Sequence, residues 1–521
     1  MRDGRLLTLP IGVQTFEIIR RMGHLYVDKT ARLQELAMTS GRCVLARPRR
    51  FGKSLTLSTL DAMFSGRVEL FEGLAAEEWV AEQAKHPSPV LRFDMSTMET
   101  SDTEGSRSSL REALLRRAEG SGVKIVSQTI GGMLQDLIIG LYEKKGPVVV
   151  LIDEYDKPIL DHIGDLEMAE AMRTVLRSFY TVLKGCDEYL RFVMLTGISK
   201  FTKTGVFSAM NNLNDISMDE AYGDIVGYTR QELDRDFSAW IDVTSEKMAL
   251  SREELLERMK DHYDGFCFDG VTKLYNPYSI LNFFFKAEFA DHWYGSGSPS
   301  FIAEYMKRHG IQDPAAYRHI EVDRGFAESQ EIERAKAESF LYQAGYLTIE
   351  AKLPRQVLRL DYPNREVEGA LVRMYLEQVY RVEGYITLGT RLWEALRDAA
   401  IDEVVQTYNI ALSGIPYDDL PAPSEALYRS LFLMLLRGAG VEAYGEVHSI
   451  MGRSDVLILF EERAIVLEFK FAKKSSDVDE LREEGMRQIE EKRYAEPLEA
   501  GQRTVTAAVI VIDGTSRRAV L

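Results

Sequence analysis

The stretch Arg47-Pro-Arg-Arg-Phe-Gly-Lys-Ser54 constrains this chain more than any other, because Gly-Lys-Ser is the half of a P-loop that grips phosphate. In the usual pattern a first glycine, four residues and Gly-Lys-Ser/Thr wrap backbone amides around phosphates. The lysine neutralises the β/γ charge and the hydroxyl holds Mg²⁺. Gly52, Lys53 and Ser54 fit those roles, and Arg49, Arg50, Phe51 and Leu55 complete the candidate nucleotide loop. Arg47 stands where the first glycine belongs and Pro48 follows it, so a residue with a side chain has to make the turn. Arg42 to Ala46 reads as a strand, and Leu55, Leu57, Leu60, Met63 and Phe64 recur at helical spacing. Strand, loop and helix is the context a P-loop requires, and the helix N-terminus adds anion-binding amides. A basic turn capping an ordinary helix is the plainer alternative.

A nucleotide site of this kind needs a second half, a buried strand that ends in acid. Gly146-Pro-Val-Val-Val-Leu-Ile-Asp-Glu-Tyr-Asp-Lys157 supplies one. Its five consecutive aliphatic residues suit a central parallel strand covered on both faces, and Asp153 falls at the carboxyl end, where ligands of open α/β sheets bind. Asp153 is expected to hold Mg²⁺, directly or through water, and Glu154 to polarise the attacking water. Val90 to Asp94 and Leu190 to Thr196 read as further strands of the same sheet, with a helix around Glu170 to Lys184 between the acid and the last strand. Thr196 and Ser199 sit where a sensor hydroxyl reaches the γ-phosphate. Arg49 and Arg50 have three open readings: contact with the triphosphate, a finger donated to a neighbouring subunit, or pairing with Glu154 or Asp156. Arg173 and Arg177 are further finger candidates.

Several stretches together resemble a known family. They are Leu9-Pro-Ile-Gly-Val-Gln-Thr-Phe, Leu25-Tyr-Val-Asp-Lys-Thr, the loop itself, Phe71-Glu-Gly-Leu, Ile152-Asp-Glu-Tyr-Asp, Thr196-Gly-Ile-Ser, Tyr275-Asn-Pro-Tyr-Ser, Tyr342-Gln-Ala-Gly-Tyr-Leu-Thr and Tyr362-Pro-Asn. The chain resembles, over nearly its whole length, the prokaryotic AAA-ATPase-like proteins that end in a PD-(D/E)XK nuclease-like domain. The resemblance implies ATP and Mg²⁺ as cofactors and makes the missing first glycine a family trait.

The C-terminal hundred residues carry their own pattern. Glu446 to Phe460 and Ala464 to Lys470 read as strands joined by turns, and alternation puts Val466, Glu468 and Lys470 on one face with Leu467 and Phe469 on the other. Hydrolysis of a phosphodiester on such a face needs carboxylates that bind Mg²⁺ and lower the pKa of a bound water. Asp455 and Glu468 are the ligand candidates, with Glu446 as an added one and the Phe469 carbonyl completing the shell. Lys470 would orient the nucleophile or neutralise developing charge. A helix at Ser424 to Arg437, another at Glu483 to Tyr494 and a strand at Val505 to Ile512 give the order helix, three strands, helix, strand of the restriction-endonuclease-like core. Gln488 and Lys492 resemble the polar residues that this family carries on its second helix, and a solvated helix face accounts for them almost as well.

The expected architecture is therefore α/β: a P-loop NTPase parallel sheet over residues 1–214, a helical lid at 215–294, a mainly helical connecting region at 295–414 and a restriction-endonuclease-like αβββαβ domain at 415–521. Phe283 to Phe285 is read as core within the lid. With 521 residues, 45% of them hydrophobic, each part has enough chain for a core. Three scattered cysteines, Cys43, Cys186 and Cys267, suit a reducing compartment and offer no zinc spacing. No apolar run has membrane-spanning length and the start carries no signal-peptide core, so a cytoplasmic protein with no membrane partner is expected. The net charge of −17 disfavours wide electrostatic contact with nucleic acid. Arg453, Lys470, Lys473 and Lys474 nevertheless gather near the proposed centre, so nucleic acid, DNA first, is the expected partner, helped by another protein or by self-assembly into a homo-oligomer. The expected function is an ATP-binding and ATP-hydrolysing switch for a Mg²⁺-dependent nuclease. The alternative is a signalling or scaffold switch whose nuclease-like domain binds without cutting.

Overall fold

A computed structural model of the chain describes residues 6–39, 41–199, 213–295, 300–308, 317–327, 336–416, 423–439, 441, 443–449, 452–460, 462–491 and 503–521. The chain divides into two compact units, residues 1–297 with 317–367, and residues 298–316 with 368–521. The segment 215–294 thus packs within the nucleotide unit, and 368–414 within the C-terminal one.

The first unit is built on a parallel sheet. Its strands are β1 (Arg42–Ala46), β2 (Val90–Asp94), β3 (Val148–Asp153), β4 (Leu190–Gly197) and the short β5 (Asn214–Asp215), in the order β2-β3-β4-β1-β5. Every pairing is parallel. Val148 to Ile152 have no exposed surface, as the uninterrupted aliphatic run required for a strand covered on both faces. β4 lies between β1 and β3, so one strand separates the loop strand from the acid strand. Because the strands run the same way, Ala46, Asp153 and Gly197 end on one edge of the sheet, where ligands of such folds are held.

Helix α1 (Lys53–Phe64) leaves the loop, and α2 (Leu166–Gly185) joins β3 to β4. The Asp165 carboxylate accepts the Met168 N–H at the N-cap, which starts α2 four residues ahead of the expected Glu170. Three helices, α3 (Arg230–Asp236), α4 (Ser238–Met248) and α5 (Arg252–Tyr263), follow. The Thr229/Glu232 and Ser251/Glu254 capping boxes open the first and third. A hairpin not expected from the sequence, β6 (Phe266–Cys267) with β7 (Lys273–Leu274), comes next, and then α6 (Pro277–Lys286). These helices share one apolar core with Leu9, Leu25 and Val27 from the start of the chain. Phe283 and Phe284 are buried in it, but Phe285 points away and is 66% exposed, because three consecutive residues of a helix cannot share one face.

A small sheet of β8 (Ile320–Asp323), β9 (Thr348–Leu353) and β10 (Val357–Asp361) completes the unit in the order β8-β10-β9. Ahead of β9, Ala337–Ala344 is helix α7, ended by Gly345 at φ 90°. A Cβ at Gly345 would lie 2.5 Å from the Pro48 ring, so the glycine lets this turn close against the nucleotide loop.

In the second unit, helices α8 (Tyr385–Arg397) and α9 (Ile401–Ser413) precede α10 (Glu425–Gly438). Strands β11 (Ala443–Ser449), β12 (Gly452–Leu459) and β13 (Arg463–Ala472), helix α11 (Val478–Glu491) and strands β14 (Thr504–Asp513) and β15 (Arg518–Val520) follow. The sheet runs β11-β12-β13-β14-β15, antiparallel except for the parallel β13–β14 pair. This is the αβββαβ order expected, with β15 as an extra edge. Phe469 packs against Phe432 of α10 with ring centres 5.5 Å apart, whereas Val466 shares a cluster with Ile489 of α11, so the two sides of β13 face different helices. Helix α11 starts at Val478, five residues before the expected Glu483, with Asp479 and Glu480 favouring its first turn.

Glu366 has no exposed surface; its carboxyl accepts the Ser279 hydroxyl of α6 at 2.7 Å and the Trp293 N–H at 2.8 Å. Burial pushes its pKa up to about 7. The folded chain then keeps a proton that the unfolded chain releases from about pH 4.5 upward, so this group lowers stability as pH rises towards 7 and adds no further loss above it. Glu366→Gln is expected to become more stable relative to wild type by up to about 3 kcal/mol between pH 5 and pH 8. Denaturant melts across that range measure the difference; a gap independent of pH would contradict it.

Candidate functional site

The loop after β1 turns through two left-handed residues, Arg50 at φ 67° and Gly52 at φ 96°. Arg47 is not among the positive-φ residues, so the glycine expected there is not needed for the turn. Its side chain instead runs into the interior with 1% exposure. The guanidinium donates to the carbonyls of Ala46 and Ser217 and lies 4.4 Å from the centre of the Phe268 ring. Loss of water pulls its pKa down to about 10, which leaves it charged at neutral pH. Phe51 is also buried, edge-on to Phe266 at 4.8 Å and Phe268 at 5.4 Å. Its ring is a core element, and only its backbone belongs to the loop surface.

Arg49, Arg50, Gly52, Lys53, Ser54 and Leu55 line a cavity of about 460 Å³ together with Glu154 and Lys157. That volume suits a small ligand. The Lys53 ammonium donates to the carbonyls of Arg47 and Pro48, 2.9 Å from each. Burial lowers its pKa, against the pull of Asp153, Glu154 and Asp156. Glu154 sits at φ 49° beyond β3, and burial raises its pKa, with Lys53 opposing. A raised carboxyl pKa brings a general base nearer its working range.

Asp153 is 2% exposed and accepts the Thr196 hydroxyl at 2.6 Å. Thr196 therefore reaches the acid and is not among the residues that line the cavity. Ser199 donates its N–H and hydroxyl to Asp156, which also accepts the Ile198 N–H. That carboxylate ties β4 to the acid loop. Arg173 is paired with Glu170 at 2.7 Å.

The opposite wall comes from residues that sequence reasoning did not assign: Pro10, Gly12, Val13 and Gln14 near the start of the chain, Tyr228, and Pro277 and Tyr278 at the start of α6. The Arg50 guanidinium lies 4.8 Å from the Tyr278 ring centre. Leu9-Pro-Ile-Gly and Tyr275-Asn-Pro-Tyr were visible only as stretches carrying the resemblance, because their meeting depends on tertiary packing.

The second centre lies where two strands part. β12 and β13 pair from Leu459–Ala464 to Val456–Leu467, beyond which β12 stays with β11 only. In the fork, Asp455 Oδ2 accepts the Phe469 N–H at 2.8 Å, while Oδ1 accepts from Arg429 of α10 at 2.7 Å. Glu468, 2% exposed, meets the Lys470 ammonium at 3.2 Å and the side-chain amide of Gln488 on α11. Lys470 also donates to Gln488 at 2.7 Å. Burial raises the Glu425 carboxyl one turn before Arg429, with Asp455, Lys470 and Arg429 as charged neighbours. Asp455, Glu468 and Lys470 are thus brought together as expected, and Gln488 joins them. Arg429 and Glu425 were missed, since one residue of each type on a helix has no motif. Glu446 lies on β11, but its side chain falls outside the described residues, as does Lys492.

Comparison with known proteins separates the same two parts. The family described as Predicted AAA-ATPase matches residues 10–207, and the PD-(D/E)XK nuclease superfamily matches residues 423–520. A protein of Azotobacter chroococcum mcd 1, described as an uncharacterized protein in the vnfD 5′ region, is 32% identical over 506 residues, 94% of each chain. The chain belongs to this AAA-ATPase-like family with a C-terminal PD-(D/E)XK domain. Among solved structures, the Aeropyrum pernix ORC1 protein in complex with DNA aligns at 11% identity, over 66% of this chain and 92% of that one, with a TM-score of 0.24. Cdc6p from Pyrobaculum aerophilum aligns at 10%, over 67% and 92%, with a TM-score of 0.28.

The donor sets fit the groups the family implies. Arg49, Arg50 and Lys53 against one acid, Glu154, on the first cavity suit a polyphosphate, Lys157 being paired with Asp161, with Ser54 and Asp153 the residues that would hold its Mg²⁺. Two buried carboxylates across a strand fork suit a divalent cation at the second.

Arg47→Gly would restore the usual P-loop glycine yet delete a buried cation and its three contacts. It is expected to destabilise the first unit by about 2–4 kcal/mol, not to improve nucleotide binding. Thermal melts and nucleotide titration check both halves of that expectation.

Proposed function

We propose that the first unit binds and hydrolyses ATP with Mg²⁺, and that its nucleotide state regulates a Mg²⁺-dependent phosphodiesterase in the second that acts on nucleic acid, DNA first, in the cytoplasm. The observation carrying the first half is the single cavity on which the P-loop lysine, Ser54 and Glu154 converge. Lys53 would turn from its loop carbonyls to the phosphates. Glu154 would orient the attacking water, and Arg49 and Arg50 would neutralise triphosphate charge. The wall of Pro10, Pro277, Tyr228 and Tyr278 would take the flat base.

For the second half, the support is the meeting of Asp455, Glu468 and Lys470 at one strand fork. A divalent ion held there would supply an activated water and charge for the phosphoryl oxygens. Lys470, steadied by Gln488, would hold the nucleophile's position. Exposed Lys473 and Lys474 just beyond β13 would meet the nucleic-acid backbone, a local cation supply on an acidic chain. Among the described residues no helix is long and apolar enough to cross a membrane. Self-assembly would add a further route to nucleic-acid affinity.

One observation favours a second reading, a nucleotide switch that does not cut. Asp455 is already neutralised by Arg429, an arrangement that also serves a purely structural fork.

Lys53→Ala is expected to abolish ATP binding by calorimetry, whereas Glu154→Gln should bind ATP normally and lose at least about a hundredfold in hydrolysis rate. Failure of the wild-type chain to bind any nucleotide would remove the first half of the proposal. Cleavage of single- and double-stranded DNA and RNA with Mn²⁺ or Mg²⁺ should vanish in Glu468→Ala. Cutting that survives this substitution would remove Glu468 and the strand fork from the chemistry, and no cutting by wild type with or without ATP would leave the non-cutting switch.

A further inference from the structure

Both oxygens of Asp455 are engaged from the protein: Oδ1 by the Arg429 guanidinium at 2.7 Å and Oδ2 by the Phe469 N–H at 2.8 Å. The pair is close to sealed, with 12% and 11% of the two side chains exposed. Across the fork, Lys470 stands 3.2 Å from Glu468, so each of the two candidate ligands already has a cation, with Glu425 as a further charged neighbour. A divalent ion entering this cluster would meet guanidinium charge at the oxygen it needs, a strong repulsion where water is scarce. Lys470 comes from the same strand as Glu468 and is fixed in register with it. Arg429 comes from α10, and its long side chain can withdraw from Asp455 without moving a strand.

We infer that Arg429 competes with divalent cations for Asp455 and so governs when the second centre takes up metal. Metal binding to Asp455 and Glu468 requires the guanidinium to leave Oδ1, and a signal that moves α10 or offers Arg429 another anion, such as a backbone phosphate, would raise metal affinity. The inference rests on the metal-centre reading of Asp455 and Glu468.

The test is Mn²⁺ titration of the full chain by calorimetry, in wild type, Arg429→Met and the Arg429→Met/Glu468→Gln double variant. Arg429→Met is expected to bind Mn²⁺ at least about tenfold more tightly than wild type, since the competing charge is gone. The double variant should lose that gain. Without metal, Arg429→Met leaves a buried carboxylate uncompensated, so its Tm should fall, and Mn²⁺ should raise it by more than it raises the wild-type Tm. Should Arg429→Met not fold, Arg429→Gln is expected to show the tighter binding, and Arg429→Lys to stay within about threefold of wild type because it keeps the charge. Equal or weaker Mn²⁺ binding in the uncharged variants, with a component that Glu468→Gln still removes, overturns the role of Arg429 and leaves the metal centre standing. If no form shows a Glu468-dependent component, the metal-centre reading fails and the inference fails with it.

Discussion

The nucleotide loop depends on a buried guanidinium. Arg47 occupies the place of the usual first glycine, and its charge lies almost wholly out of water, where an uncompensated cation is costly. Two carbonyls, both on Nη1, and the face of Phe268 compensate it in part, while Nε and Nη2 have no hydrogen-bond partner among the described residues. Those partners come from three places: the end of β1, the segment after β5 and the hairpin beyond α5. The loop can hold its left-handed residues Arg50 and Gly52 because its first residue is pinned from beneath. A standard P-loop gains the same closeness by having no side chain at this point. Here a large side chain fills the space, and the loop is stitched to the rest of the unit.

The two centres use charge in opposite ways. Around the first cavity, Arg49, Arg50 and Lys53 outnumber Glu154, with Lys157 held by Asp161, and the ammonium of Lys53 rests on carbonyl oxygens, so the balance favours an incoming anion. At the second, Arg429 and Lys470 already sit on Asp455 and Glu468. The first is poised for a polyphosphate. The second is closed by its own side chains, and a metal ion has to replace a contact before it gains one. This difference gives a physical basis for the regulation proposed for the strand fork.

Much of this was legible from residue types in order. The aliphatic run before Asp153 suited a strand covered on both faces, and it is a fully buried interior strand of the sheet. Alternation in Ala464 to Lys470 put Glu468 and Lys470 on one face, and both meet Gln488 there. What stayed hidden depends on contacts between distant segments. Thr196 lies near a strand end as a sensor would, and its hydroxyl donates to Asp153, a contact the sequence did not announce. Pro10 and Tyr278 share a cavity wall across a long stretch of chain, and Arg429 reaches Asp455 from a helix whose pattern announces only an apolar stripe. Gly345 reads as a plain helix stop, although it also makes room for Pro48.

The contacts around the loop also explain how a bound nucleotide would act on more than its own pocket. Phe51 keys into Phe266 and Phe268, Arg47 lies on the same Phe268, and Arg50 lies over Tyr278 at the head of α6. Ser279, the next residue, is bonded to buried Glu366, which also takes the Trp293 N–H. A close-packed interior transmits a displacement because it has no slack to absorb it. A phosphate that drew Arg50 from Tyr278 would therefore change the seat of α6, and a helix fixed at its first turn by a buried acid moves as a unit. The loop and the helical segment form one mechanical element, and the nucleotide cavity lies between its parts.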